Sequence, residues 1–77
     1  MTVYHFDYRC DGVLVADAIG TALDTFADAR TEAVRALGDL MRDELRGARR
    51  RQIAIEVREG ARPVLQVQLT LEVRQFI

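Results

Sequence analysis

Lysine and tryptophan are absent from this 77-residue chain, and cysteine, histidine and proline occur once each. One cysteine, Cys10, cannot close an internal disulfide, which agrees with a reducing compartment. One histidine, His5, has no second histidine or acidic cluster beside it except Asp7, and zinc centres want three or four ligands. There is no glycine-rich phosphate loop, nucleophile elbow, paired cysteine or His-Glu metal helix. The sequence therefore leads us to expect no enzyme, no catalytic residue, no metal and no cofactor. No apolar run approaches the ~20 residues of a membrane helix. The opening Met1–Asp7 has neither the basic start nor the apolar centre of a secretion signal. The expectation is a cytoplasmic protein with no membrane partner.

Hydrophobic residues make up 49% of the chain and charged ones 30%, the balance of a folded protein rather than a disordered one. At this length one domain, residues 1–77, is expected. A core so small leaves a slim stability margin, so a second copy of the chain would help it. The net charge of −1 hides a polarity. Residues 1–45 hold nine acids and four arginines, whereas residues 46–77 hold seven arginines and three acids.

Tyr4, Phe6 and Tyr8 alternate with His5 and Asp7, the period of a half-buried strand. Asp11-Gly12 supplies the turn of a hairpin, and Val13–Val15 returns as a second strand that is apolar on both faces. Such a strand is expected to be central or covered by a partner, because a bare apolar edge invites aggregation. Asp17–Leu23, with Gly20 inside it, reads as a loop. Thr25 and Asp28 form a capping pair that starts a helix. Its apolar stripe is Phe26, Ala29, Ala33, Val34, Leu37, Leu40, Met41 and Leu45, and Gly47 follows as a terminator. Ile53, Ile55 and Val57 then alternate with polar residues up to a turn at Glu59–Pro63. Leu65, Val67, Leu69, Leu71 and Val73 continue that alternation with period two. The prediction is an α+β fold of order ββαββ: a four-stranded antiparallel sheet with one amphipathic helix on one face and the Gln-, Thr- and Glu-bearing face wet.

Tyr4–Asp7, Asp11-Gly12, Asp17 with Gly20 and Leu23, Ala29–Ala33, Ile55–Arg58 and Arg62–Val64 occur in an order that resembles a family of small bacterial proteins of uncharacterised function, frequent in alphaproteobacteria and rhizobia. The chain departs from that pattern at Ala22, where an acidic residue is common, and at Thr70–Val73, where a turn with Ser or Asp often follows. The resemblance implies a hairpin-helix-hairpin fold and assigns no activity. A weaker likeness, through Tyr4, Asp11-Gly12, Asp17, Gly20, Thr25 and Glu32-Ala33, is to the N-terminal part of antitoxins of the HicB type. It covers about half the chain and lacks their DNA-binding appendage.

Four features are candidates for function. Arg46, Arg49, Arg50 and Arg51 form a basic segment able to contact nucleic acid or another anion, although charge complementarity at a helix C-terminus explains most of it. Val13 and Val15, with Val73, Phe76 and Ile77 at the overlong end of the last strand, are candidates for self-association. Tyr4, Phe6 and Tyr8 suit either a base-stacking platform or, preferentially, a core row beneath the helix. Cys10 is a reactive thiol only if Arg9 lowers its pKa, and Glu56 and Glu72 would matter only if they met across the last two strands. The expectation is a non-enzymatic protein-interaction module, a homodimer with a further partner unidentified. The competing expectation is an antitoxin-like or nucleic-acid-binding regulator that uses the basic segment.

Overall fold

A computed structural model describes all residues, 1–77. The elements are β1 (Thr2–Cys10), β2 (Val13–Val15), β3 (Thr21–Leu23), α1 (Phe26–Glu44), β4 (Arg50–Glu59) and β5 (Arg62–Glu72). All strand pairs are antiparallel, in the order β2-β1-β4-β5, with β3 also pairing β1. The sheet therefore has five strands, not four. The extra one lies in the stretch read as a loop, where a three-residue strand directly after Gly20 gives no visible alternation.

The first hairpin turns at Asp11 and Gly12, both at positive φ (48° and 88°), as a two-residue turn of this hand requires. β2 and β3 share one edge of β1 but not one register. Val13–Val15 lie opposite Tyr8–Cys10, and Thr21–Leu23 lie opposite Thr2–Tyr4. Residues 16–20 thus span only residues 5–7 of β1 and must bulge away from the ladder.

Thr25 caps α1, its hydroxyl accepting the Asp28 N–H at 3.1 Å. The helix ends at Glu44 with Leu45 as cap, short of Gly47, whose positive φ turns the chain back toward β4. α1 lies over β4, with Ala29 and Ala33 sealed against Tyr4, Ile55 and Val57. Phe6, Tyr8, Leu37, Leu40, Leu65 and Val67 pack around that centre, half-buried. The aromatic row is therefore core and offers no stacking platform. The helix stripe is narrower than its sequence suggests, since Phe26, Val34 and Met41 are exposed. Alanine at the two closest contact positions brings the helix near the sheet, and only the residues aimed straight down are covered.

Candidate functional site

The face of the sheet turned away from α1 is not uniformly wet. Asp7 is only 7% exposed and Ala54 is also buried there. Asp7 sits in a polar clamp assembled from four parts of the chain. Its Oδ1 accepts the Asp17 N–H at 2.9 Å, and its Oδ2 accepts Arg58 Nε–H at 2.9 Å. Arg58 also donates to the Asp17 carbonyl at 2.9 Å and to the Gly60 carbonyl at 2.8 Å. The His5 ring Nδ1 lies 2.8 Å from the Asp17 carbonyl and, as donor, completes the ring of contacts. A β-bulge at Val57/Arg58 accompanies this reach of Arg58 across the sheet.

Asp17 repairs the edge of β1 where β2 has stopped and β3 has not begun. Its Oδ2 accepts the Phe6 N–H at 3.0 Å, standing in for a strand carbonyl, while Oδ1 accepts the N–H groups of Ile19 and Gly20 at 3.0 Å each. Gly20 is required twice over. Its φ is +79°, and a Cβ there would meet Val3 Cγ1 at 2.7 Å and His5 Cε1 at 3.0 Å. Burial pushes the Asp7 carboxyl up, but the bonds from Asp17 and Arg58 outweigh that and hold it below its ordinary 3.8. The N–H groups of Gly20 and Phe6, opposed by burial, hold Asp17 low as well. The clamp orders a loop against a sheet. None of the surface depressions opens onto it: they are lined by Pro63–Gln66 with Glu56, by Asp11 and Arg50–Gln52 with Thr70, and by helix residues 27–34.

A second polar cluster joins the end of α1 to β1 and β4. Cys10 Sγ lies 3.4 Å from Glu44 Oε2 and 3.7 Å from Arg51 Nη1, and Arg51 Nη1 is 3.4 Å from the same carboxylate. Arg51 Nε is 3.0 Å from Asp11 Oδ2, an ion contact in which the N–H is not aligned as a hydrogen bond. Burial, with hydrogen bonds to Cys10 and Glu44, pushes the neighbouring Tyr8 hydroxyl well above its ordinary pKa. The cation beside Cys10 is therefore Arg51. Arg9 lies on the opposite face and pairs with Glu56 at 3.0 Å. Glu56 and Glu72 do not meet, because Glu56 stands opposite Gln66 and Glu72 opposite Arg50.

The basic segment is divided by the fold. Arg51 is consumed by Asp11 and Glu44, whereas Arg46, Arg49 and Arg50 are exposed and form no ion pair. Val13 and Val15 lie on an outer strand and are exposed, so β2 is neither central nor covered within the chain. Val73, Phe76 and Ile77 are exposed beyond the end of β5, and Val73 N–H makes one last bond to the Arg49 carbonyl at 2.8 Å. The residues expected to self-associate are thus at two separate places. No group of three or more His, Cys, Asp or Glu converges as metal ligands, and no helix is long and apolar enough to cross a membrane.

The family described as a domain of unknown function, DUF6894, matches residues 3–70. The chain belongs to that family. Comparison with curated proteins and with solved structures gave no match. The family match spans β1 to all but the last residues of β5, so it takes in the whole clamp. Asp7, Asp17, Gly20 and Arg58, scattered among the short motifs by which the sequence resembles an uncharacterised family, meet in that one cluster. The sequence signals were an aspartate within a strand, an Asp-x-x-Gly loop and an arginine at the end of the next hairpin arm. Periodicity could not show that they meet.

Proposed function

We propose that the chain is a non-enzymatic protein-interaction module that associates with itself, in the cytoplasm, as a homodimer. The observation that carries this reading is unfinished burial. Only 8 of 77 residues are buried, while Val13, Val15, Phe26, Val34 and Met41 stay exposed within ordered elements. A monomer with so small a core sits at the margin of stability, and a second copy supplies the missing cover. Light scattering or sedimentation equilibrium at tens of micromolar tests it: a dimer is expected, and a monomer throughout that range rejects it.

A regulator akin to HicB-type antitoxins is the second reading, favoured by the exposed and unpaired Arg46, Arg49 and Arg50. Three phosphate contacts on duplex DNA would give log affinity a slope of about −0.9 each against log salt. The expected result is no measurable binding at physiological salt, because the acids of α1 lie close to the segment. Sub-micromolar binding that is lost on reversing Arg46, Arg49 and Arg50 to Glu would put this reading first.

A further inference from the structure

β5 is an outer strand of eleven residues with one side unpaired. From Val64 to Leu71 it reads Val-Leu-Gln-Val-Gln-Leu-Thr-Leu: eight residues without a charge, a proline or a glycine, between Arg62-Pro63 and Glu72. Edge strands are ordinarily blunted by charge, proline, a bulge or shortness. Here the one bulge, between the pairs Val57 with Leu65 and Arg58 with Pro63, puts its extra residue, Val64, at the very start of the run beside the one proline, and from Leu65 to Leu71 the strand carries neither device. This free edge is long and undefended.

Backbone direction alternates along a strand. Val73 N–H points to β4, so residues 65, 67, 69 and 71 turn their backbone groups inward to the ladder. Gln66, Gln68, Thr70 and Glu72 therefore present theirs to the open side. On the face beneath α1, Leu65, Val67, Leu69 and Leu71 are only half-buried.

The uncovered part of the helix lies on this same side. In an L-chain that parity places β5 to the left of β4 when β5 is viewed pointing upward from the helix side. α1 runs upward with β5. On a right-handed helix whose Ala29 and Ala33 point down, the next arc, through Leu37 to Met41 and Val34, then turns toward β5. The same geometry makes β3-α1-β4 a right-handed crossover, as such connections are. Val34 (55% exposed) and Met41 (44%) thus overhang the undefended edge.

We infer that β5 is the self-association edge: two copies pair this strand antiparallel about a twofold axis, and the Val34–Met41 flanks of the two helices meet above the seam. This rests on the self-association proposed above and fixes where it happens. Pairing centred on Val67 sets Leu65 against the partner's Leu69 and Gln66 against the partner's Gln68. The area agrees. A compact monomer of 8.7 kDa exposes about 4,700 Å², whereas this chain exposes 5633 Å². The excess, part of which is the projecting Val73–Ile77 tail, is comparable with the roughly 800 Å² that one partner contributes to a standard interface.

Four versions of the full chain, compared by sedimentation equilibrium with circular dichroism as the check on folding, test the proposal. They are the wild type, Gln68→Pro, Val34→Glu with Met41→Glu, and Val13→Glu with Val15→Glu. Gln68→Pro removes a donor from the open side and leaves the β4 ladder its bonds. The expected result is a dimer for the wild type and the β2 variant, and a folded monomer for the other two, with dissociation constants raised about tenfold or more. Should Gln68→Pro fail to fold, the helix pair decides alone, because those side chains are exposed in the protomer. A dimer that survives the helix pair but is lost in the β2 pair, or on deleting Val73–Ile77, overturns the assignment to β5 while self-association stands. A wild-type monomer at tens of micromolar rejects both.

Discussion

The two sides of this sheet face one chemical problem and answer it differently. On the β1 side, two short strands leave a gap, and Asp17 fills it by accepting the Phe6 N–H, held by Asp7 and Arg58. On the β5 side, a longer run of donors and acceptors meets no such group. The chain commits three charged residues and a glycine to closing one edge, and leaves the other uncharged and, from Leu65 to Leu71, regular. What separates them is therefore not size or hydrophobicity but whether polar side chains have been recruited to satisfy the backbone.

The harshest way to break the comparison is to open the closed side. Asp7→Asn should leave the half-buried Arg58 guanidinium without its charge partner, and the expected loss is on the order of 3 kcal/mol by denaturant titration. A loss near zero would mean that the loop holds without the clamp. Next comes the division of the helix. Leu40→Ala, beneath the helix, should cost about 2 kcal/mol, whereas Val34→Ala, on the flank above β5, should move the monomer by no more than about 0.5 kcal/mol. Equal effects would contradict the packing described.

Acid should find the clamp before it finds the open edge. Asp7 and Asp17 both titrate lower when folded than their ordinary 3.8. The folded chain therefore binds fewer protons than the unfolded one in that range, and the two carboxylates add stability that is complete above the ordinary value. That contribution is lost as pH falls through 3.8 toward the lowered folded values. Asp17→Asn should flatten the acid limb of stability against pH, measured by denaturant midpoint, and an unchanged limb would assign acid sensitivity to other carboxylates. The subtlest contrast lies in amide exchange. Phe6 N–H should be protected at every protein concentration, and Gln68 N–H only as concentration rises. Protection of Gln68 independent of concentration would mean that β5 is closed within a single chain.

Much of this was legible beforehand, because each hairpin declares itself locally. Asp11-Gly12 and the alternation around Ile55 and Val67 specify strands from neighbours alone, and Thr25 with Asp28 marks the helix start. β3 was not legible, since Thr21–Leu23 is too short to show a period and follows a glycine. The width of the helix stripe misled for a related reason: Val34 and Met41 are apolar and properly spaced, yet they are turned past the sheet rather than onto it. The candidate residues fared unevenly. Arg51 is tied into ion pairs, Arg46, Arg49 and Arg50 are free, and Val13 and Val15 are exposed at the opposite edge from the strand that now best fits self-association. The clamp was hidden because Asp17 meets Asp7 from a loop without periodicity, and Arg58 joins them only through the register between β1 and β4.

That last property has a kinetic consequence. Arg58 reaches Asp7 across 51 positions and Asp17 across 41, and both contacts wait on the docking of β4 beside β1. Contacts that close such long loops are formed late in folding more often than early. The clamp should then act as a latch on the finished structure rather than as a guide toward it. In a chevron plot, Asp7→Asn is expected to raise the unfolding limb, speeding escape from the native state, while leaving the refolding limb almost in place. A slowed refolding limb would instead make this polar cluster part of the nucleus.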